Sequence, residues 1–395
     1  MRIGSKLLAI CSRAIRFKLE RYGQFQPSSL SIQQYIDFSR KGTEQSSFLF
    51  LRTELLVRLA NIMQEINLLP SKLLRMPSAQ LISSWYCESF SDILQYETAM
   101  ATSETMKRFN EQLQVILNRH KYVVETMAQA LIEFRRSNNQ NCYEDGLQYF
   151  LDRFYLNRIS IRMLQNQHLL VFGSKMPEIS RQVGCIDPEC DVVNVVNVAY
   201  DDARFLCEKY YLTAPEIDLE CHNTVHPGKP ITVVTVPAHL FHIFFELIKN
   251  AMRATVEHHG ADNEIPKLKI LIVSGNEDVS IEISDRGGGV SRKILERLFN
   301  YTYSTAPPPS PDDPGPPLAG YGYGLPLSRL YARYFHGDIV LVSQEGFGTR
   351  ATVFLQAQPL SASEVLPIYG TSSKRQLTMA PQAADWSQQK QPKSS

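Results

Sequence analysis

The chain reads as an α plus α/β protein, a helical bundle followed by an α/β sandwich. Residues 31–175 repeat apolar side chains at three- and four-residue steps, the period of amphipathic helices. After residue 190, short β-branched runs alternate with helical patterns, the order that builds a sheet under a helical layer. A length of 395 residues leaves room for two or three domains.

Residues 1–19 hold Arg2, Lys6, Arg13, Arg16 and Lys18, and Glu20 is the first acid. Leu7, Leu8, Ile10, Ile15 and Leu19 lie between these charges. A basic, acid-free, amphipathic start is what mitochondrial import selects, so 1–24 is read as a targeting segment. The plainer alternative is a basic first helix of the fold. In 46–67, Leu55, Leu59, Ile62, Met63 and Ile66 share a face, and Pro70 and Pro77 then punctuate the chain. From 104, Leu113, Ile116, His120, Val124, Met127 and Leu131 form one stripe. From 146, Phe150, Phe154, Ile161, Leu164 and His168 form another. Long helices with short connections predict a four-helix-bundle-like domain over 25–180. A histidine on such an apolar face is ordinarily a hydrogen-bonded core residue.

The second domain, 181–360, has strand patterns at Ile231–Val236, Leu268–Val273, Val279–Ser284, Asp338–Ser343 and Arg350–Leu355. Helical patterns at 191–211, 238–258, 291–300 and 324–336 separate them, which predicts one sheet with a helical layer. The Pro-rich stretch 306–317 is neither helix nor central strand and reads as a lid loop. Residues 361–395 are polar and Ser/Gln-rich, an extended tail.

Composition excludes several functions. Lys plus Arg is 41 and Asp plus Glu is 40, too balanced for coating a polyanion, so no nucleic-acid partner is expected. No run reaches about 18 apolar residues, so no membrane span is expected. Seven scattered cysteines without a C-x-x-C argue against a disulfide scaffold or zinc ribbon.

Three constellations carry chemistry. His242, Glu246 and Asn250 fall on one helix face, and Arg253 joins them. A carboxylate, an amide and a base on one face can hold a proton, a hard metal and a phosphate, although a solvated polar face would look the same. In S-D-R-G-G-G-V (284–290), Asp285 leaves a strand end before a glycine turn. It could accept a hydrogen bond from an exocyclic amine, or the segment could be a plain turn. In G-Y-G-Y-G-L-P-L-S-R (320–329), glycines feed a helix N-terminus, an arrangement that suits an anion. A later G-F-G-T (346–349) opens the last strand.

An Asn helix, a D-x-G-x-G strand end, a G-x-G-x-G loop and a late G-x-G-T strand, in that order, resemble the Bergerat-fold (GHKL) ATPases. E-L-I-K-N-A-M-R-A-T-V-E, S-D-R-G-G-G-V, Y-S-T-A-P and R-I-S-I-R-M-L-Q-N-Q-H resemble, more closely, the mitochondrial pyruvate dehydrogenase kinases. So does a late Asp385-Trp386, and the likeness spans roughly residues 25–390.

The resemblance implies a matrix serine kinase with a Bergerat-fold ATP domain. Its partners would be the pyruvate dehydrogenase decarboxylase subunit as substrate, the lipoyl domain of dihydrolipoyl acetyltransferase, and a second copy of the chain. Its cofactors would be ATP and Mg²⁺, with K⁺ as a further ion. Glu246 would be the general base and His242 its tuning neighbour. Glu246, Leu247, Ile248, Lys249, Asn250, Ala251, Met252 and Arg253 would form the first nucleotide motif, with Asn250 holding Mg²⁺. Asp285, Gly287 and Gly289 would form the second, with Asp285 on the adenine amine. Ser304, Thr305, Gly320, Tyr321, Gly322, Tyr323, Gly324 and Leu325 would close over ribose and phosphates, and Thr349 would lie near adenine. Tyr86, His120 and Arg158 match a pocket for pyruvate-like carboxylates in the bundle. Asp385 and Trp386 would anchor the tail on the partner subunit. Two positions depart from the family pattern. Leu117 replaces a pocket arginine, which implies weaker anion binding, and Arg350 replaces an aspartate. The rivals are the branched-chain ketoacid dehydrogenase kinase, an ATPase switch without kinase chemistry, and a non-catalytic scaffold.

Overall fold

A computed structural model describes residues 12–137, 144–173, 182–301, 303 and 322–367. The Pro-rich stretch, Ser304, Thr305, Gly320, Tyr321, Asp385 and Trp386 lie outside the described residues.

Ser12 caps α1 (Arg13–Tyr22), and Ser31 and Thr43 start α2 (Ile32–Lys41) and α3 (Glu44–Asn67) with capping boxes. α3 is buried on nearly all sides and packs against α1, α4 (Pro77–Leu94), α5 (Ser103–Arg119) and α7 (Glu144–His168), so it is the axis of the bundle. Part of the segment read as targeting is folded. Leu19 and Tyr22 are buried, and Lys18 Nζ sits 2.6 Å from Glu97. The targeting reading therefore rests on residues 1–11, which lie outside the described residues.

The continuous stripe expected from 104 to 131 is interrupted. α5 ends at Arg119, His120 caps it with ψ near 7°, and α6 (Val123–Ser137) starts anew. Apolar spacing carries across such a corner because both helices face the same core. His168 is the satisfied core histidine expected from its setting, bonded to Ser47 Oγ and Asn110 Oδ1, each at 2.7 Å.

The second unit contains a five-stranded mixed sheet in the order β2-β4-β5-β7-β6. Its strands are β2 (Ile217–Asn223), β4 (Leu268–Ser274), β5 (Asp278–Ser284), β6 (Asp338–Gln344) and β7 (Gly348–Gln356). β2 runs parallel to β4, and the other pairs are antiparallel. The expectation of one sheet needs correcting. β3 (Thr232–Thr235), expected in the main sheet, pairs instead with β1 (Asp187–Asp191) as a separate two-stranded ribbon. α8 (Val192–Tyr211) and α9 (Pro237–His259) pack together, and their apolar faces share a core with Ile270, Ile281, Ile339 and Val353 of the sheet. α10 (Arg292–Leu295) is far shorter than the predicted 291–300, and turns continue to Asn300. α11 (Gly324–Tyr334) comes next.

Among the described residues, several contacts tie the two units. α11 packs on α7. Gln148 bonds Phe299 O and Tyr301 N, both at 3.0 Å, and Tyr301 donates to Asp152 at 2.9 Å. Arg58 of α3 grips Glu364, beyond β7, through both carboxylate oxygens at 3.0 and 2.8 Å.

Burial pushes the pKa of His120, His168 and His239 down to about 3, 4 and 3. Below about pH 6.5 the unfolded chain then binds more protons than the folded one. Stability should fall as pH drops from there towards the folded values. Urea midpoints taken from about pH 7 to about pH 4.5 check this, with His168→Gln expected to show a shallower decline. Parallel declines would assign the acid sensitivity to other groups.

Candidate active site

α9 begins at Pro237, whose missing N–H and fixed φ suit a helix start. Its Leu240, Ile243, Phe244, Leu247 and Ile248 are buried in the sheet-side core, which turns Glu246, Lys249, Asn250 and Arg253 into a cleft of about 190 Å³. The cleft also receives Asp285 from the end of β5, Thr349 from β7, Gly322 from the loop before α11, and Gly324 and Leu325 from the first turn of α11. The three constellations therefore meet at one place.

Glu246 Oε1 pairs with Lys249 Nζ at 2.7 Å, and the Lys249 ammonium lies 5.1 Å from the Phe245 ring centroid. The start of α11 crowds the same carboxylate. A Cβ on Gly324 would come within 2.0 Å of Glu246 Oε2, so a larger residue there would displace the carboxylate. His242, one turn earlier, packs edge-on against Tyr331 at 5.1 Å, and its Nε2 is buried without a hydrogen-bond partner among the described residues. Burial lowers the His242 pKa, Glu246 raises it and Lys249 lowers it.

Asp285 is fixed by backbone on both sides. Its Oδ1 accepts from Gly287 N at 2.8 Å and Thr349 N at 3.1 Å, and its own N–H donates to Thr349 O at 2.9 Å. Oδ2 takes no hydrogen bond among the described residues, leaving an acceptor on a cleft-lining side chain. Burial raises the Asp285 pKa, and the two N–H groups pull the other way. A Cβ on Gly348 would strike Asp285 O at 2.1 Å, which explains the second glycine of G-F-G-T.

Other predicted residues sit elsewhere. Ile248 and Met252 are fully buried in the sheet-side core rather than lining the cleft, as the 3.6-residue period dictates. Gly287 and Gly289 shape the turn: Gly289 has φ +60°, and a Cβ there would meet Gln344 O at 2.2 Å. Tyr323 joins a buried aromatic cluster with Tyr155 and Tyr301. Arg350 points the opposite way from Thr349 and pairs with Glu282 at 3.1 Å. The apolar walls Ile283, Leu341 and Ala351 from the strands and Val290 and Leu298 from the chain after β5 carry no sequence signal, because tertiary packing alone brings them beside α9.

Within the bundle, the Tyr86 and His120 rings lie 4.4 Å apart, and Arg158 Nη2 donates to His120 O at 3.1 Å. His120 Nε2 is 3.1 Å from Ser89 Oγ. Tyr86 Oη, Arg158 Nε and Arg162 Nη1 are buried and have no hydrogen-bond partner among the described residues. No carboxylate among the described residues pairs with either arginine. Arg162 was missed, although its i,i+4 spacing from Arg158 puts both on one face. Leu117 is buried nearby in the same core. A separate, largely apolar cavity of about 460 Å³ opens between α2, α3 and the end of α7, with Leu30, Phe38, Phe50, Leu164 and Phe172 on its walls.

Residues 29–187 match a family model described as mitochondrial branched-chain alpha-ketoacid dehydrogenase kinase. Residues 235–359 match the histidine kinase-, DNA gyrase B- and HSP90-like ATPase model. Full-length relatives carry a different name from the first model. The chain is 67% identical to the mitochondrial pyruvate dehydrogenase (acetyl-transferring) kinase of Ascaris suum, over 97% of this chain and 96% of that protein. It is 63% identical to the probable enzyme of that name from Caenorhabditis elegans, over 98% and 97%. It is 50% identical to isozyme 3 of Homo sapiens, over 94% and 93%. With helical and ATPase regions in the matching order and identity running the whole length, the chain belongs to the mitochondrial pyruvate dehydrogenase kinase family.

Proposed function

We propose that this protein is a mitochondrial ATP-dependent kinase that phosphorylates serines of the pyruvate dehydrogenase decarboxylase subunit and so inactivates the complex. The observation that carries the reading is the meeting of Glu246, Asn250, Asp285, Gly322 and the first turn of α11 (Gly324 and Leu325) at one cleft. Asp285 offers its open oxygen to the adenine amine. The loop and the N-terminus of α11 face the phosphates, where free N–H groups favour anions. Glu246 takes the serine hydroxyl proton as the serine oxygen bonds to the γ-phosphorus and the bond to the β-phosphate oxygen breaks, releasing ADP. Lys249 sits beside Glu246 to steady the charges. Among the described residues no cluster of three acidic, histidine or cysteine side chains could hold a metal alone. That fits a Mg²⁺ held by phosphates and the Asn250 amide, where it would neutralise phosphate charge. K⁺ would be a further ion at the same nucleotide.

Asp285→Ala should weaken ATP binding roughly 10- to 150-fold, the loss of a hydrogen bond to a charged group. Calorimetric affinity unchanged by the substitution would remove Asp285 from the adenine site. The unpartnered Arg158, Arg162 and Tyr86 atoms suit a small carboxylate such as pyruvate as an inhibitor, with Leu117 weakening it. The 460 Å³ cavity suits the hydrocarbon arm of a lipoyl group, placing the lipoyl domain on the bundle. The sheet face away from α8 and α9 exposes Val340 and Val342 and suits a second copy. Asp385-Trp386 would then cross to that copy.

Labelled ATP with each of the two ketoacid decarboxylases tests the function. Phosphate on the pyruvate enzyme's serines is expected. Label on the branched-chain enzyme alone would favour the sister kinase, and hydrolysis without transfer would favour an ATPase switch.

A further inference from the structure

A groove of about 550 Å³ reaches Glu246 along walls different from those of the nucleotide cleft. Glu125 of α6 and Asp202 of α8 stand on its two walls, and the two cavities share Glu246, Lys249 and Gly324. A general base shared by two cavities can serve a donor in one and an acceptor in the other, as in-line transfer requires.

The groove has a defined chemistry. Glu125 and Asp202 have no ion-pair partner among the described residues, whereas Lys249 is committed to Glu246. His242 is on the wall with its Nε2 buried and without a hydrogen-bond partner among the described residues, and burial lowers its pKa. α11 contributes no charged side chain. The field in the groove is therefore acidic. Beside Asp202 on the same face of α8, Phe205 is 72% exposed and Val198 46%, a large apolar strip next to a reactive site. Anionic ligands are disfavoured there, and a cationic, partly apolar peptide is favoured.

We propose that this groove receives the phosphoacceptor segment of the protein substrate, with Asp202 and Glu125 selecting a basic side chain near the acceptor serine and Phe205 taking an apolar one. This rests on the kinase reading above.

The test uses the full-length kinase and the intact decarboxylase. Asp202→Lys/Glu125→Lys changes exposed side chains, so folding and ATP affinity should match wild type. KM for the decarboxylase should rise about tenfold or more, with kcat changing less. Decarboxylases in which each basic residue flanking the acceptor serines is changed to Glu should then be assayed in turn. One of them should recover at least half of the lost kcat/KM with the double variant while being a poor substrate for wild type. An unchanged KM, or a loss that no charge-reversed substrate recovers, overturns the assignment. Wild-type kinase that leaves the decarboxylase unlabelled would overturn the kinase reading and the groove with it.

Discussion

Glu246→Gln is expected to lower phosphoryl transfer to the decarboxylase by about 10²–10⁴-fold, the usual worth of a positioned general base. The substitution keeps the shape and removes the proton acceptor. Shape matters here because α11 leaves no room at Gly324 beside the carboxylate. ATP should still bind, since the adenine contact proposed for Asp285 lies at the end of β5, in a different motif from Glu246 on α9. The variant also removes the negative charge that pairs with Lys249 at 2.7 Å, a second change in the cleft. Lys249→Met separates the two effects. If the ion pair is all that matters, both variants should lose turnover equally. If Glu246 is the base, Lys249→Met should lose much less. Glu246→Gln retaining more than half of wild-type turnover would sink the base assignment.

The second large effect concerns stability. Arg58 is fully buried and all five of its N–H donors are used. They go to Glu54, Ser160 O, Ser28 O and both oxygens of Glu364. Glu364 also accepts from Tyr35, from the Leu30 N–H and from Tyr334. One ion pair thus joins α2, α3, α11 and the segment after β7. Removing one partner of such a pair leaves a buried charge uncompensated, at a cost of about 3–5 kcal/mol. Arg58→Met should lower the urea midpoint accordingly, whereas Arg58→Met/Glu364→Leu should recover much of the loss. A single variant within about 0.5 kcal/mol of wild type would show that water reaches Glu364. Because Tyr334 ends the helix that begins at Gly324, the single variant should also loosen the nucleotide loop, read as weaker ATP binding.

Much of the fold could be read because its elements repeat. α3, α7, α8 and α9 announce themselves by apolar period, and β4 to β7 by β-branched runs that the structure extends by one to three residues. β1 and β2 were missed because D-P-E-C-D and I-D-L-E-C-H-N are mostly polar, as a small ribbon and a sheet edge allow. The corner at His120 was invisible because both helices turn the same face to the core.

The sequence by itself determined the order of the motifs, the identity of their reactive groups, and the family to which they point. The i,i+4 spacing of Glu246 and Asn250 puts both on one face whatever surrounds the helix. Tertiary structure decided which neighbours count. It turned Ile248 and Met252 into core, set Thr349 N–H on Asp285, and aimed Arg350 away at Glu282. It brought Arg58 to a residue 306 positions later and set two acids across a groove from each other. Local spacing fixes direction over one or two turns, whereas contacts between distant segments depend on how sheets and helices pack, which no local period encodes.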